Sequence, residues 1–184
     1  MKSKFIWKKL DYNGEQLRSH FAYKSFSISG DCIIGFIGAC DVNKNMVDIE
    51  DSKARKYIKS DDMVHFIVEH FGIDLERAIL RQIILISIIK ECIDDYCGRL
   101  ILKRSGNDLY FGDKKLSVSI ATSSPVSCLI HVGINILESG APIPIVGLKR
   151  FKINAKKFAN KVMKKYLSEM DHIAFARCKV EAVK

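Results

Sequence analysis

Two alternating runs near the middle of the chain carry side chains that could hold and activate an acid group. Residues 112–136 read GDKKLSVSIATSSPVSCLIHVGINI. Alternate side chains of a strand share a face, so Lys115, Ser117, Ser119 and Ala121 fall on one side of the first run, opposite Leu116, Val118 and Ile120. In the second run His131, Gly133 and Asn135 oppose Ile130, Val132, Ile134 and Ile136. An ammonium and an imidazole among small hydroxyls form a set that binds carboxylate or phosphate. Joined through residues 122–127, the runs are expected to be antiparallel neighbours whose polar sides point the same way. That shared side is either the wet face of a sheet or the floor of a binding site. Small residues instead of long charges, and a glycine where a side chain would pack, speak for the floor.

Three other groups could contribute. His65 and His70, in MVHFIVEHF, fall on opposite faces of a strand, so they do not suit joint metal binding. Arg18 and His20, in LRSHFAY, alternate on an expected strand that could reach the same site. Carboxylates are dense between residues 41 and 62, where Asp48, Glu50, Asp51, Asp61 and Asp62 offer oxygen ligands to Mg²⁺ carried with substrate phosphates or, more simply, form a solvated acidic loop.

These candidates need elements to position them. FAYKSFSI and CIIGFIGAC read as extended segments around a Ser-Gly-Asp turn. Residues 41–62 read as a long polar connection with one short helix, an uncommon length unless it orders around something. MVHFIVEHF is a short strand, and the run from Leu75 to Tyr96 is the clearest helix, with Asp74 as N-cap and Gly98 as stop. Its isoleucines and leucines cover nearly every side, which predicts burial on most of its circumference. A strand over residues 99–103 follows. The last helix is predicted over residues 156–170, capped by Asn154, with Phe158, Val162, Tyr166 and Leu167 inward. Strands, helix, strands and helix make an α+β fold, read as one domain over residues 1–184.

The chain carries a formal net charge of +9, and its last 36 residues hold eleven Lys or Arg against three acidic residues. That surplus either steers phosphate-rich partners such as RNA or is the solvated face of a helix. No apolar run spans a bilayer and the first residues do not read as a signal peptide, so a cytoplasmic protein is expected. Most of the six cysteines sit in apolar runs, as reduced, buried thiols do.

The quoted residues resemble a known family. Asn107-Asp108-Leu109, then Gly112 to Ser119, then His131-Val132-Gly133-Ile134-Asn135 is similar to the central block of the biotin and lipoate protein ligases, which share a fold with class II aminoacyl-tRNA synthetases. The likeness covers residues 75–166. Over its whole length the chain resembles an archaeal family, domain of unknown function 366, through LRSHFAYKSF, VDIEDSKA and MVHFIVEHF. The resemblance implies a mainly antiparallel mixed sheet packed on a long buried helix and a C-terminal helix. It also implies a ligase or acyltransferase acting on a carboxylate or acyl group.

By this likeness Lys115 contacts the carboxylate or phosphate, Asn107 lies near a nucleotide, and Ser117, Ser119, His131, Gly133 and Asn135 line the channel. His65 falls about where octanoyltransferases carry a substrate-loop histidine. There are departures. Val118 replaces the usual glycine, no arginine- and glycine-rich ATP loop precedes the helix, and residues 138–148 lack the octanoyltransferase cysteine. ATP and Mg²⁺ are therefore not firmly implied. The alternative is a non-catalytic module binding a small acyl or nucleotide ligand, or RNA; an acceptor protein fits the enzyme reading as a partner, and homo-oligomers fit either.

Overall fold

The computed structural model describes residues 1–43 and 45–183; Lys44, inside the polar connection, and Lys184, the last of the basic tail, lie outside the described residues. The elements run β1 (Lys2–Phe5), α1 (Phe21–Phe26), β2 (Cys32–Val42), α2 (Ile49–Lys53), β3 (Ile58–Phe71), α3 (Leu75–Cys97), β4 (Lys103–Ser105), β5 (Asp108–Phe111), β6 (Lys114–Lys115), β7 (Ser117–Ser123), β8 (Ser127–Asn135) and α4 (Ala155–Cys178). The large sheet has the order β1-β2-β3-β8-β7, and the small one β4-β5-β6. Only β1 runs parallel to its neighbour in the large sheet. This is the expected α+β architecture.

Helix α3 starts and stops where its sequence says. The Asp74 carboxylate accepts the Arg77 N–H at 2.8 Å, and Gly98 takes the left-handed conformation that closes the last turn. The expected C-terminal helix is also present, capped by Asn154 and continuing to Cys178. Both helices pack on one face of the large sheet. There Ile33, Val64, Phe66, Ile130, Val132 and Ile134 meet Leu85, Ile86, Ile89, Phe158 and Val162, all fully buried.

The other face is covered by the chain's own beginning. Tyr12, Phe21 and Ala22 close over Ile34, Phe36, Met63 and Ile67 as a second core. FAYKSF is thus a helix, not the expected strand, because as a helix Phe21, Ala22 and Phe26 share one side and the two phenyl rings meet edge to face at 5.6 Å. The expected strand over residues 99–103 is displaced to Lys103–Ser105. Its predecessor is held to the helix instead, where the Asp94 carboxylate accepts the amides of Ile101 and Leu102. MVHFIVEHF belongs to a fourteen-residue strand that takes in Asp61 and Asp62, which shortens the polar connection.

A polar network ties α4 to the sheet. His70 Nδ1 lies 2.8 Å from an Asp31 carboxylate oxygen, so that nitrogen donates, and its Nε2 accepts from the Tyr166 hydroxyl at 2.9 Å. Burial holds His70 below its ordinary pKa, against the opposing pull of Asp31. Tyr166→Phe is expected to leave that imidazole lone pair buried and unpaired, at a cost of about 1–3 kcal/mol. Urea denaturation of the variant reads this directly.

Candidate functional site

The register of β7 and β8 decides which polar groups meet. Ser117 pairs with Ile134, Val118 with Gly133, Ser119 with Val132 and Ile120 with His131. Cross-strand partners lie on the same face. The two polar sides therefore do not face the same way: the serines lie on the helix face, while His131, Gly133 and Asn135 lie on the opposite face with Val118 and Ile120. A tight turn causes this. The Ser124 hydroxyl donates to the Ser127 carbonyl and accepts the Ser127 amide, and a turn one residue different in length would have exchanged the faces.

The serine hydroxyls accordingly serve the scaffold. Ser117 Oγ accepts the Leu109 amide at 2.8 Å, and Ser119 Oγ accepts from Gln82 of α3 at 2.7 Å while donating to the Asn107 carbonyl. The Asn107 amide group returns a bond to the Ser119 carbonyl. These contacts fasten the small sheet to β7. Lys115 lies not on β7 but on β6, opposite Tyr110, and is locked again by a bridge to Ile145. Its ammonium sits 2.8 Å from an Asp108 carboxylate oxygen, with both side chains about a quarter exposed.

Between the small sheet and the polar connection opens a cleft of about 760 Å³. Lys115, Asn107, Asp108, Ser60, Met63 and Asn135 line it, together with Asp48, Asp51, Arg55 and Lys59. Asn135 is buried and donates to the Lys115 carbonyl. The Ser60 hydroxyl is buried with no hydrogen-bond partner among the described residues, a state that favours a ligand able to supply one. Gly133 is not a ligand approach: a Cβ there would press on the ends of Met63 and Val118, so it is packing that requires glycine.

Beside the cleft, sharing Asp48, Asp51, Ile58 and Val118 with it, is a recess of about 60 Å³. Its roof is Tyr12, stacked on His131 with ring centroids 3.7 Å apart. Tyr12 is carried there because the N-terminal segment runs beside β2, the Leu10 and Tyr12 amides donating to the carbonyls of Ile37 and Ala39. Gly38 permits this approach, since any Cβ would collide with the Leu10 carbonyl. Beneath lie His65 and His131, both fully buried, with Nδ1 of the first 3.1 Å from Nε2 of the second. Burial lowers the pKa of His65 to about 4, and burial together with the neighbouring His65 lowers His131 well below its ordinary value. Burial also raises the Tyr12 phenol and pushes the Cys40 thiol up to about 12, so these two groups stay neutral.

Of the residues named from sequence, Lys115, Asn107, Ser117, Ser119 and Asn135 border the cleft. His131 lines the recess and His65 supports it. Arg18 joins neither; it is exposed on the turn before α1, not on a strand. His20, in the same turn, gives its amide to Glu69. His70 belongs to the α4 network, on the far side of the sheet from His65 as expected. Tyr12, Ser60 and Ile120 were not foreseen. Tyr12 stands alone in a polar stretch, and only the glycine spacing of GFIGAC hints that another segment comes close.

Comparisons with known proteins bear on the family and the fold. The family described as "Domain of unknown function (DUF366)" matches residues 1–181. The uncharacterized protein MJ0805 of Methanocaldococcus jannaschii is 43% identical over 180 residues, 92% of this chain and 79% of its own. A solved structure titled a protein of unknown function from Pyrococcus horikoshi superposes with a TM-score of 0.93 at 38% identity, covering 99% of this chain and 100% of that one. A biotin protein ligase from Aquifex aeolicus, solved with biotin and ATP, gives a TM-score of 0.62 at 16% identity over 92% of this chain and 70% of that one. That likeness shows the fold, which is that of biotin and lipoate ligases. The chain belongs to the DUF366 family.

Proposed function

We propose that the cleft binds a small carboxylate or acyl compound and that the protein acts on it as a ligase or acyltransferase, with Lys115 as the catalytic residue. The carrying observation is the Lys115 ammonium on the cleft wall, held at 2.8 Å by Asp108. A cation fixed in a partly dry cleft stabilises negative charge on an acid or on the oxygen of a reacting acyl group without having to reorganise. Asp108 is a positioning residue, aiming the ammonium.

By the likeness to the ligases, residues 41–62 take the place of their phosphate loop; they contain no glycine, and Asp48 and Asp51 of this segment border the cleft. A glycine-free segment rich in carboxylates fits nucleotide phosphates poorly, so no step is routed through ATP. This favours either transfer from an acyl group already activated or, as a second reading, a module that holds its ligand without turnover. RNA binding through the basic helix is less favoured, because Lys161 and Lys165 are engaged with Asp95 and Glu91 of α3. Among the described residues no helix is long and apolar enough to cross a membrane.

Lys115→Met keeps the length of the side chain and removes its charge. Loss of a charge-assisted hydrogen bond predicts binding about 10- to 100-fold weaker. Calorimetric titration of biotin, lipoate and octanoate into both proteins measures it. Binding of any of these acids to the native protein, undiminished in the variant, would overturn the role of Lys115.

A further inference from the structure

The two buried imidazoles have only one consistent arrangement of protons. His65 Nε2 lies 3.2 Å from the Gly38 carbonyl oxygen, which can only accept, so this nitrogen carries the proton. His65 is neutral, which leaves a lone pair on Nδ1. His131 Nε2, 3.1 Å away, must therefore donate to it. His131 is neutral as well, so its own Nδ1 is an acceptor, and that atom has no hydrogen-bond partner among the described residues. The ring lines the recess under Tyr12, where the other walls are mostly apolar: Leu17, Cys40, Val42, Ile58 and Ile120. The Gly38 carbonyl thus fixes, through two rings, an acceptor on a side chain that lines a space of about 60 Å³. Of its polar side chains, Asp48, Asp51 and Ser119 lie on the side it shares with the larger cleft, and Asn45 gives its amide group to the Asn13 carbonyl.

We propose that the recess is a specificity subsite for an uncharged group bearing an N–H or O–H donor, which it binds through His131 Nδ1. Combined with the reading of Lys115, on which this extension rests, the ligand would be anchored by its acid end at Lys115 and would end in a neutral polar group with a donor, not in a bare alkyl chain. A second acid group is excluded from the recess, since a carboxylate would set its lone pairs against the lone pair of Nδ1. Tyr12 and Ile120 accommodate the flat or apolar body of such a group, and His131 selects for the donor.

The test uses two probes that share a ring and differ by one N–H, pyrrolidin-2-one and cyclopentanone, titrated into the full ¹⁵N-labelled chain with histidine ring nitrogens observed by long-range ¹H–¹⁵N correlation. The expected spectrum shows His131 protonated on Nε2 alone. Pyrrolidin-2-one is expected to move the Nδ1 resonance and to bind about fivefold tighter than cyclopentanone, the preference one neutral hydrogen bond gives. In His131→Phe, which keeps a flat ring under Tyr12, the preference is expected to vanish. Equal affinities in the native protein, or a His131 protonated on Nδ1, would overturn the proposal whether or not the variant folds. Neither probe carries an acid, so their ratio reads the recess alone; failure of the Lys115 reading and failure of the recess are separate results.

Discussion

Lowering the pH from 8 to 5 is expected to remove at least about 2 kcal/mol of folding stability. In the unfolded chain His65 and His131 titrate near 6.5. In the fold, burial holds the first at about 4 and the second well below its ordinary value. Both folded values are depressed, so the unfolded state binds the protons first. The stability they contribute is complete above pH 6.5 and is lost as the pH falls from there through about 4. At pH 5 His65 costs about 2 kcal/mol, and His131, shifted in the same direction, adds to it. Around His65 the opposing influences are weak: the Gly38 and Ala39 carbonyls and Asp11 favour the imidazolium without offsetting desolvation. His70, flanked by Asp31, Arg81 and the N-terminal amine, is shifted in the same direction and adds to the loss. Urea denaturation at pH 8, 6.5 and 5 gives the curve. A midpoint that stays level over this range would mean the two rings are not buried and neutral.

The second large effect is expected from one methyl group. Gly38→Ala should lose about 2–3 kcal/mol, the range for forcing atoms into a filled site. The clash falls on backbone, the Leu10 carbonyl, not on the yielding end of a side chain. Relief requires the N-terminal segment to lift from β2, and Tyr12 must lift with it. The Tyr12 amide donates to Ala39 and its carbonyl accepts from Asp41, so hydrogen exchange at Tyr12 and Asp41 should accelerate. Amides between β3 and β8, one strand further in, should accelerate only by what the loss of global stability gives. Native-like exchange at Tyr12 together with native stability would contradict the account.

The fold was largely legible in the sequence because its strongest signals are local. Asp74 and Gly98 bracket α3, Asn154 opens α4, and alternation marks β7 and β8. The site was only partly legible, for two physical reasons. Alternation tells which residues of one strand share a face, but the relation between two strands depends on the exact turn, and Ser124 and Ser127 set a register that parts the serines from His131. The other reason is distance along the chain. Nothing near Tyr12 announces that it will roof a histidine on β8, because the cause lies in the close approach that Gly38 allows. FAYKSF was misread for a similar reason: its aromatic residues suit a strand as well as the helix they form over the second core.

The strand order also carries a consequence for how the molecule is made. β3 lies between β2, which precedes it, and β8, which begins only at Ser127. During synthesis β2 and β3 can zip into a hairpin, but the other edge of β3 waits while α3 and the small sheet are still being added. That edge presents unpaired amides along Val64, Phe66 and Val68, apolar and ready to pair with another chain. The interval before β8 arrives is therefore the stage at which nascent chains should aggregate. A bound ligand cannot protect them then, because the recess has no floor until His131 is in place.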